Sequence, residues 1–397
     1  MGSVSKGVGE KKFRIGVNIR IYETKPSGIQ NFIHSLFVEL IKTYPKYQFI
    51  FFSTGKKKLE ETATYINSNS FLLSSLKKIN PLLVNFFFDN LYILKLLFRQ
   101  KLNIFIGPSY IVPLIKLKNV KYIAIIYDLS YLTYKHNPFN LYLNLVMYMK
   151  LFMPFILKRA DSIVVPSLYV KQMIKNKYNT NDDKIVVIYG GRDEYFYKIK
   201  EEKELNALRK KYGISQDYCF TNATNHERKN THGLIDAFSK IDKLSEFQLI
   251  ITGLLPESAI VELENYIYHL NLDKKVKYLG FVTKEELRTL YSNAKIFIFP
   301  SFEEGFGLPV LEAASCGCLP ICSNTGSLPE IIGNKKLLFN PRDVDSIVQK
   351  INEVLIFNRF SYNTELTIVQ KHTNKFTWQK AAKEYNYLFQ RIMSKDI

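Results

Sequence analysis

The stretch from Pro300 to Pro320 constrains the fold of this chain more than any other. It reads PSFEEGFGLPVLEAASCGCLP and follows Ile296–Phe299, a short apolar run of the kind that fills a buried parallel strand. Pro309 suits the first turn of a helix, which we predict from Val310 to Ser315. A strand, a glycine-containing loop and a helix in this order predict a doubly wound α/β domain. Such domains bind ligands at the carboxyl ends of their strands.

The loop inside this stretch has the features of an anion site. Gly305 and Gly307 let the backbone turn sharply and approach a ligand. The amides before Leu311 lack intrahelical partners and lie at the positive end of the helix dipole, which suits a phosphate. Glu304 and Glu312, eight positions apart, are predicted to lie at the mouth of this site. Taken singly, a solvated glutamate or a glycine-rich loop is weak evidence.

The whole string resembles the Glu-x7-Glu signature of the retaining glycosyltransferases of family 4. The resemblance continues through Asn324 to Ile332, which reads NTGSLPEII, and covers roughly residues 13–392. It implies an α/β protein of the GT-B fold, in which two Rossmann-like doubly wound domains face each other across a cleft. It also implies a nucleotide-sugar donor as substrate, with no metal ion and no other cofactor.

Length and resemblance together predict the division of the chain. Its 397 residues suffice for about two domains. We expect a disordered N-terminal tail at 1–12, which lacks the apolar core of a signal peptide. We expect an acceptor-binding Rossmann-like domain at 13–192 and a nucleotide-sugar-binding Rossmann-like domain at 193–376. A C-terminal helix at 377–397 is expected to cross back to the first domain.

The resemblance places Gly28 and Tyr127 of the first half near the donor and also covers Ser167. Gly28 matches a family glycine that faces the donor, although a glycine that only begins a helix is the alternative. Tyr127 stands where the family usually has histidine; its phenol can exchange a hydrogen bond but carries no charge near neutral pH. Ser167 matches a family serine and is a plausible N-cap of the following helix.

Cations of the second half are predicted to bind the donor diphosphate. Lys229 matches the family's diphosphate lysine, but Thr224 replaces the arginine that is usual five residues earlier. We expect Arg228 to supply the missing guanidinium. Cations beside a helix N-terminus have the wrong sign for the dipole unless an anion binds between them. The alternative is that both are solvent-exposed loop charges.

The resemblance also assigns roles at the cleft. The predicted catalytic residues are Glu304, Lys229 and Arg228: the two cations stabilise the departing diphosphate, and Glu304 contacts the donor sugar. Glu312 is expected to bind the ribose, and backbone atoms at Val282 to hold the base. The remaining predicted donor-binding residues belong to the glycine loop and are Gly305, Phe306, Gly307 and Leu308.

The cysteines allow two interpretations. Cys316, Cys318 and Cys322 form a C-x-C-x3-C pattern, and Cys219 stands far from them in the sequence. A metal site would need a fourth ligand nearby, and the sequence offers none. We therefore predict buried free thiols and no metal. Reduced thiols fit a cytoplasmic protein.

The positive charge is concentrated in the first half. Residues 1–200 hold 30 Lys/Arg against 12 Asp/Glu, a net +18, whereas residues 201–397 hold 25 against 24, a net +1. The asymmetry indicates an anionic partner such as lipid headgroups, a pyrophosphate-linked lipid or an acidic glycan. We predict no nucleic-acid partner, since the chain shows no helix-turn-helix, RRM or zinc-finger pattern.

Two aromatic-rich stretches, 81–98 and 139–157, approach the length of a membrane span. Asp89, Lys95 and Lys150 within them argue against transmembrane helices. Ordinary core helices and interfacial helices with an apolar face toward lipid both remain open. The second alternative predicts peripheral contact with an anionic membrane, on its cytoplasmic face.

The sequence therefore predicts transfer of a hexose, with mannose as a candidate, to a glycan or lipid-linked glycan. It does not define the base, the acceptor or the oligomeric state. The Tyr127 and Thr224 departures leave a non-catalytic sugar-nucleotide-binding subunit as an alternative. A sugar-nucleotide epimerase of similar build is a second alternative, but its acid/base residues cannot be placed.

Overall fold

A computed structural model describes residues 13–20, 28–53, 58–60, 63–67, 88–108, 110–132, 141–224 and 226–394. The predicted tail at 1–12, residues 81–87 of the first aromatic-rich stretch and residues 139–140 of the second lie outside these ranges.

The first half of the chain forms a seven-stranded parallel sheet of order β3-β2-β1-β4-β5-β6-β7. Its strands are β1 Phe13–Asn18, β2 Tyr47–Ser53, β3 Thr64–Asn67, β4 Ile104–Gly107, β5 Lys121–Ile125, β6 Ser162–Val165 and β7 Ile185–Val187. Its helices are α1 Gly28–Thr43, α2 Ile93–Gln100, α3 Leu141–Arg159 and α4 Leu168–Tyr178; a π-helical turn, Phe88–Tyr92, leads into α2. Helices cover both faces of the sheet, which explains why its central strands are almost wholly apolar.

The second half repeats this design with six parallel strands in the order β10-β9-β8-β11-β12-β13. The strands are β8 Asp217–Asn222, β9 Phe247–Thr252, β10 Val276–Tyr278, β11 Ile296–Phe299, β12 Leu319–Ser323 and β13 Leu338–Phe339. The helices are α5 Glu202–Tyr212, α6 Thr231–Ser239, α7 Glu257–His269, α8 Lys284–Asn293, α9 Leu308–Ser315, α10 Leu328–Ile332, α11 Val344–Leu355 and α12 Arg359–Thr373. In this sheet the strand order reverses between β8 and β11, and that switch point is where open α/β sheets bind ligands.

Local helix caps follow the sequence signals closely. Thr283 and Glu286 form a capping box at α8, with both reciprocal hydrogen bonds present. The Ser167 hydroxyl caps α4, as predicted, by accepting a hydrogen bond from the amide of Val170. Asp343, shortly after Asn340 and Pro341, caps α11 through the amides of two following residues. These contacts span two or three residues, so the sequence alone is sufficient to specify them.

The last helix, α13 (Trp378–Ser394), packs on the first half of the chain. Its buried residues, among them Trp378, Tyr385 and Phe389, share one hydrophobic cluster with Phe32 and Phe37 of α1. A bridge between Arg192 and Thr377 fixes the point where the chain returns. The C-terminal helix therefore ties the two sheets together behind the cleft.

All four cysteines are buried and none forms a disulfide. Burial raises the pKa of each of these thiols, as expected for apolar surroundings. Among the described residues, no helix has both the length and the apolar character needed to cross a membrane.

Candidate active site

An ion cluster occupies the carboxyl edge of the second sheet. Oε1 of Glu304 lies 2.7 Å from Nζ of Lys229 and 2.8 Å from Nη1 of Arg228. Glu304 follows β11, whereas both cations belong to a short 3-10 turn, Glu227–Lys229, that precedes α6. Lys229 also lies 4.6 Å from the centre of the Phe299 ring. The structure therefore brings together the three residues that the resemblance marked as catalytic.

The three charges in the cluster determine each other's protonation. Burial alone would raise the pKa of Glu304, but the nearby Arg228 and Lys229 outweigh it and lower that pKa to about 2. Burial lowers the pKa of Lys229, and the Glu304 charge opposes that shift. Within this group of three, two cations face one carboxylate beside the loop before α9, a balance that suits an anion.

Backbone contacts explain why the cations reach this loop. The amide of Phe302 donates to the carbonyl of Arg228 at 2.7 Å, and the Arg228 guanidinium donates to the Glu303 carbonyl at 3.1 Å. From the other side, the amide of Ser327 donates to the Glu304 carbonyl at 3.1 Å. The loop is thus held between the turn after β8 and the loop after β12.

The predicted glycine loop begins α9 two residues earlier than expected, at Leu308. Gly307 has a φ of 112°, a backbone conformation that favours glycine. Gly305 is required for a different reason: a Cβ atom there would lie 1.9 Å from the carbonyl oxygen of Tyr127. Phe306 is buried and meets Phe32 of α1, with ring centres 6.4 Å apart. The loop therefore closes against the first half of the chain.

Two further contacts cross between the halves at the N-terminus of α4. The Ser167 hydroxyl donates to the carbonyl of Gly305 at 2.7 Å. The carboxylate of Glu330, on α10, accepts from the amides of Leu168 and Tyr169, both at 3.1 Å. A carboxylate at a helix N-terminus is electrostatically favourable. Ser167 had been predicted only as a cap, and Glu330 had no predicted role.

Tyr127 lies in the interior of the first half. Its ring packs against Phe32, with centres 5.1 Å apart, and belongs to the cluster that includes Tyr385 of α13. The phenol oxygen is buried and has no hydrogen-bond partner among the described residues, and burial raises its pKa well above the usual value. At this position the backbone carbonyl, rather than the phenol, approaches Gly305. Donor contact by the Tyr127 side chain stays a prediction.

Glu312 lies on α9 with a separate set of partners. The Tyr291 hydroxyl, from α8, donates to its carboxylate at 3.2 Å. Asn222 at the end of β8 donates to that hydroxyl at 2.9 Å, and the Thr252 hydroxyl donates to the Asn222 carbonyl at 2.9 Å. Burial raises the pKa of Glu312 to about 7, although the Tyr291 hydrogen bond opposes the rise. The two predicted carboxylates are thus a fixed anion and a group that titrates near neutrality.

The other predicted donor residues lie at nearby loop and helix ends. Gly28 is exposed at the first residue of α1, with open space where a Cβ atom would be. Val282 is buried between β10 and α8. Thr224, at the position of the family arginine, has a buried hydroxyl with no hydrogen-bond partner in the part of the chain that the structure describes. The structure places these residues but assigns none of them a ligand.

Sequence reasoning missed Tyr291, Asn222 and Glu330. Asn222 carried a usable signal, because a polar residue at the carboxyl end of a central strand faces the ligand edge. Glu330 lies within the string from Asn324 to Ile332 that carried the family resemblance. Tyr291 looked like one more apolar residue of an amphipathic helix.

Two doubly wound domains, joined by a returning C-terminal helix and facing each other at a glycine loop, define the GT-B fold. A glycosyltransferase from Rickettsia africae ESF-5 has this shape, with a TM-score of 0.71 at 20% identity over 97% of this chain and 99% of that one. Anabaena Alr3699/HepE, solved with UDP and glucose, gives a TM-score of 0.71 at 16% identity over 96% and 100%.

Two family models of glycosyltransferases match the chain, one in each half. Residues 26–195 match the family described as Glycosyltransferase Family 4, and residues 224–365 match Glycosyl transferases group 1. The two matched regions together span most of both domains.

Relatives in Escherichia coli match part of the chain. The O-antigen chain mannosyltransferase B is 33% identical over 201 residues, which is 50% of this chain and 52% of that protein. The serotype-specific mannosyltransferase WbdA is 29% identical over 229 residues, 57% of this chain and 28% of that protein. The matches thus span between about a quarter and a half of these relatives.

Proposed function

We propose that this protein transfers a hexose, with mannose as the first candidate, from a nucleoside-diphosphate sugar to a glycan or lipid-linked glycan. The transfer would retain the anomeric configuration and need no metal ion. The observation that carries the proposal is the convergence of Lys229 and Arg228 on Glu304 beside the N-terminus of α9. Mannose is the first candidate because the relatives are named as mannosyltransferases.

The cluster suits a departing nucleoside diphosphate. As the bond between sugar and phosphate breaks, negative charge grows on the leaving diphosphate. Lys229 and Arg228 supply two fixed positive charges, and the positive end of the α9 helix dipole lies at the same loop. A preorganised positive site replaces the metal ion that other transferases place there. The leaving phosphate itself then takes the proton of the acceptor hydroxyl.

Glu304 keeps its charge at every physiological pH, since its pKa lies at about 2. In this structure it neutralises one of the two cations. A donor diphosphate would share Lys229 and Arg228 with it, which leaves the carboxylate free to accept hydrogen bonds from the donor sugar. A carboxylate with so low a pKa is a poor general base, so we assign it to sugar binding and charge balance.

Glu312 would bind the ribose. It lies on α9 and accepts a hydrogen bond from Tyr291, and its carboxylate oxygens can accept hydrogen bonds from two hydroxyls. We place the acceptor on the side of the first domain, and the whole reaction at the cytoplasmic face of a membrane.

The deciding experiment is a donor screen. Purified protein is incubated with GDP-, UDP- and dTDP-sugars, and slow release of nucleoside diphosphate is measured without acceptor. Turnover of one donor class supports the proposal, and NMR of the transferred sugar then reports the anomeric configuration. Binding without any hydrolysis or transfer would favour the non-catalytic subunit. Interconversion of the bound sugar would favour the epimerase.

A further inference from the structure

Two helices cover the same face of the first sheet. Ile93, Leu96 and Leu97 of α2 and Met149 and Met153 of α3 insert into one hydrophobic cluster on that face. The opposite face carries α1 and α13, which contribute to a different cluster. The outer sides of α2 and α3 therefore face outward on the same side of the molecule.

A connecting segment, residues 111–120, lies in contact with both helical regions. Its buried residues Ile111, Val112 and Val120 join the same cluster. The amide of Leu114 donates to the side chain of Asn90, in the turn that leads into α2, at 2.9 Å. Lys116 pairs with Asp161, just after α3, at 2.5 Å. The helices and the segment thus form one continuous outer surface.

Large apolar side chains point outward from this surface. Phe98 is 80% exposed, Leu151 63%, Ile115 59%, Phe155 55% and Leu91 54%. Single exposed apolar residues are ordinary, but five on neighbouring elements of one face are not. We call these five residues the apolar ridge.

Exposed cations lie among them. They come from both helices, their ends and the connecting segment, and are Lys95, Arg99, Lys101, Lys118, Lys150, Lys158 and Arg159. Among the described side chains of 88–120 and 149–161, the one carboxylate is Asp161, which is half-buried and paired with Lys116. Apolar groups among unopposed cations match a surface that is anionic outside and apolar beneath.

We infer that this surface of α2, α3 and the connecting segment docks the protein on an anionic lipid membrane. The apolar ridge enters the interface between headgroups and acyl chains, and the seven cations meet the headgroup charge. A soluble acidic glycan would bind the cations but has no apolar groups to contact the apolar ridge. The inference builds on the membrane placement in the proposed function, not on its chemistry.

Vesicle co-sedimentation tests the surface. We expect binding to vesicles of mixed phosphatidylglycerol and phosphatidylcholine at low salt, and much weaker binding to phosphatidylcholine alone. At about 1 M salt, where the Debye length is about 3 Å, binding should fall but not vanish. Replacing Phe98 and Phe155 by serine should weaken binding about tenfold or more at either salt concentration. Replacing Lys95 or Lys150 by glutamate should weaken it roughly fivefold or more, at low salt only.

Matched controls lie on the second domain. Phe360 is 81% exposed on α12, and Lys335 is exposed before β13. Phe360→Ser and Lys335→Glu should bind vesicles like the unmodified protein. All substitutions are at exposed positions, so thermal melting should stay unchanged.

Two outcomes would overturn the inference. The first is absence of binding to anionic vesicles at low salt, including the case in which a soluble acidic polysaccharide binds instead. The second is equal binding by the ridge variants and the unmodified protein. Donor hydrolysis in vesicle-free buffer should be the same for all these variants, so a failure here is distinguishable from a failure of the proposed reaction.

Discussion

The Ser167 hydroxyl donates to the carbonyl of Gly305 at 2.7 Å while accepting from the amide of Val170 at 3.2 Å. One side chain thus caps a helix of the first domain and holds the glycine loop of the second. The two partners are 138 residues apart in sequence from Ser167 to Gly305. Glu330 reinforces the contact at the next two amides of the same helix. The start of α4 therefore carries three of the hydrogen bonds that join the two domains.

Replacing Ser167 by alanine should affect both stability and donor binding. The lost cap should cost about 1 kcal/mol of unfolding free energy. The lost hydrogen bond to Gly305 should weaken donor affinity by about fivefold, since a neutral hydrogen bond contributes about 1 kcal/mol. Thermal melting and calorimetric titration of the donor nucleotide measure the two effects.

A matched control separates the effect on stability from the effect on donor affinity. Asn358 caps α12 in the second domain by accepting from the amide of Ser361 at 2.8 Å. Asn358→Ala should lower the melting temperature by a similar amount and leave donor affinity unchanged. If both variants lose affinity equally, the loss reflects general destabilisation, and the specific role of Ser167 fails.

Removing Lys229 should slow the reaction more than it weakens donor binding. The diphosphate gains negative charge in the transition state, so a fixed cation stabilises that state more than the ground state. Hydrogen bonds to charged groups contribute about 1.5–3 kcal/mol, so Lys229→Ala should lower kcat roughly 10- to 100-fold. Steady-state transfer kinetics measure the split between kcat and KM.

Two controls accompany that measurement. Lys335→Ala removes an exposed lysine of the same domain and should leave both constants unchanged. Treatment of the unmodified protein with a chelator should not change its rate. An unchanged kcat in Lys229→Ala, or loss of activity with chelator that added metal restores, would contradict the proposed leaving-group stabilisation.

Whether the sequence predicts a contact depends on how far apart the two contacting residues are in the chain. The caps at Thr283 and Asp343 depend on neighbours within a few residues, so local sequence signals are enough to specify them. The strand Ile296–Phe299, predicted from its apolar run, is confirmed. The GT-B fold was predicted from longer strings with a family resemblance, and the comparisons show it.

The sequence could not predict contacts between segments that are far apart in the chain. The Tyr127 ring packs against Phe32, in a hydrophobic cluster that α13 completes from the far end of the chain. Glu330 reaches α4 across 162 residues. Local periodicity predicts neither the Tyr127 contact nor the Glu330 contact, because both depend on how distant parts of the folded chain pack together. The charge asymmetry indicated an anionic partner but could not show which side chains share one face.

Replacing Glu312 by glutamine should weaken nucleotide binding. The amide keeps one acceptor oxygen but presents a donor where the second ribose hydroxyl would donate, so one contact is mismatched. With about 1.5–3 kcal/mol for a charged hydrogen bond, affinity should fall roughly 10- to 100-fold. Calorimetry with the nucleoside diphosphate measures it. Unchanged affinity would remove Glu312 from the ribose site.

Nucleotide affinity should also depend on pH through Glu312. Burial raises the pKa of this carboxyl to about 7 in the structure without nucleotide. Below that pH the protonated group can accept from fewer hydroxyls, so affinity should rise as pH increases through 7, by at most about tenfold per pH unit. Binding near pH 7 should release a proton, which calorimetry in buffers of different ionisation enthalpy detects. The terminal phosphate of the nucleotide, with a second pKa of about 6, contributes its own pH dependence, so Glu312→Gln should remove only the part with a midpoint near 7.

Tyr291→Phe should move this pH dependence. The Tyr291 hydroxyl donates to Glu312 and thereby lowers its pKa against the effect of burial. Without it the carboxyl ionises at higher pH, so the midpoint of the affinity profile should shift upward. Affinity at pH 7 should fall, and at pH 9 it should recover most of the way toward that of the unmodified protein. Recovery at high pH separates an electrostatic role from simple loss of packing, which no pH would repair. Tyr268→Phe, at a tyrosine that is 69% exposed on α7, provides the matched control and should leave the profile unchanged. A Tyr291→Phe profile with the original midpoint would show that this hydroxyl does not set the charge of Glu312.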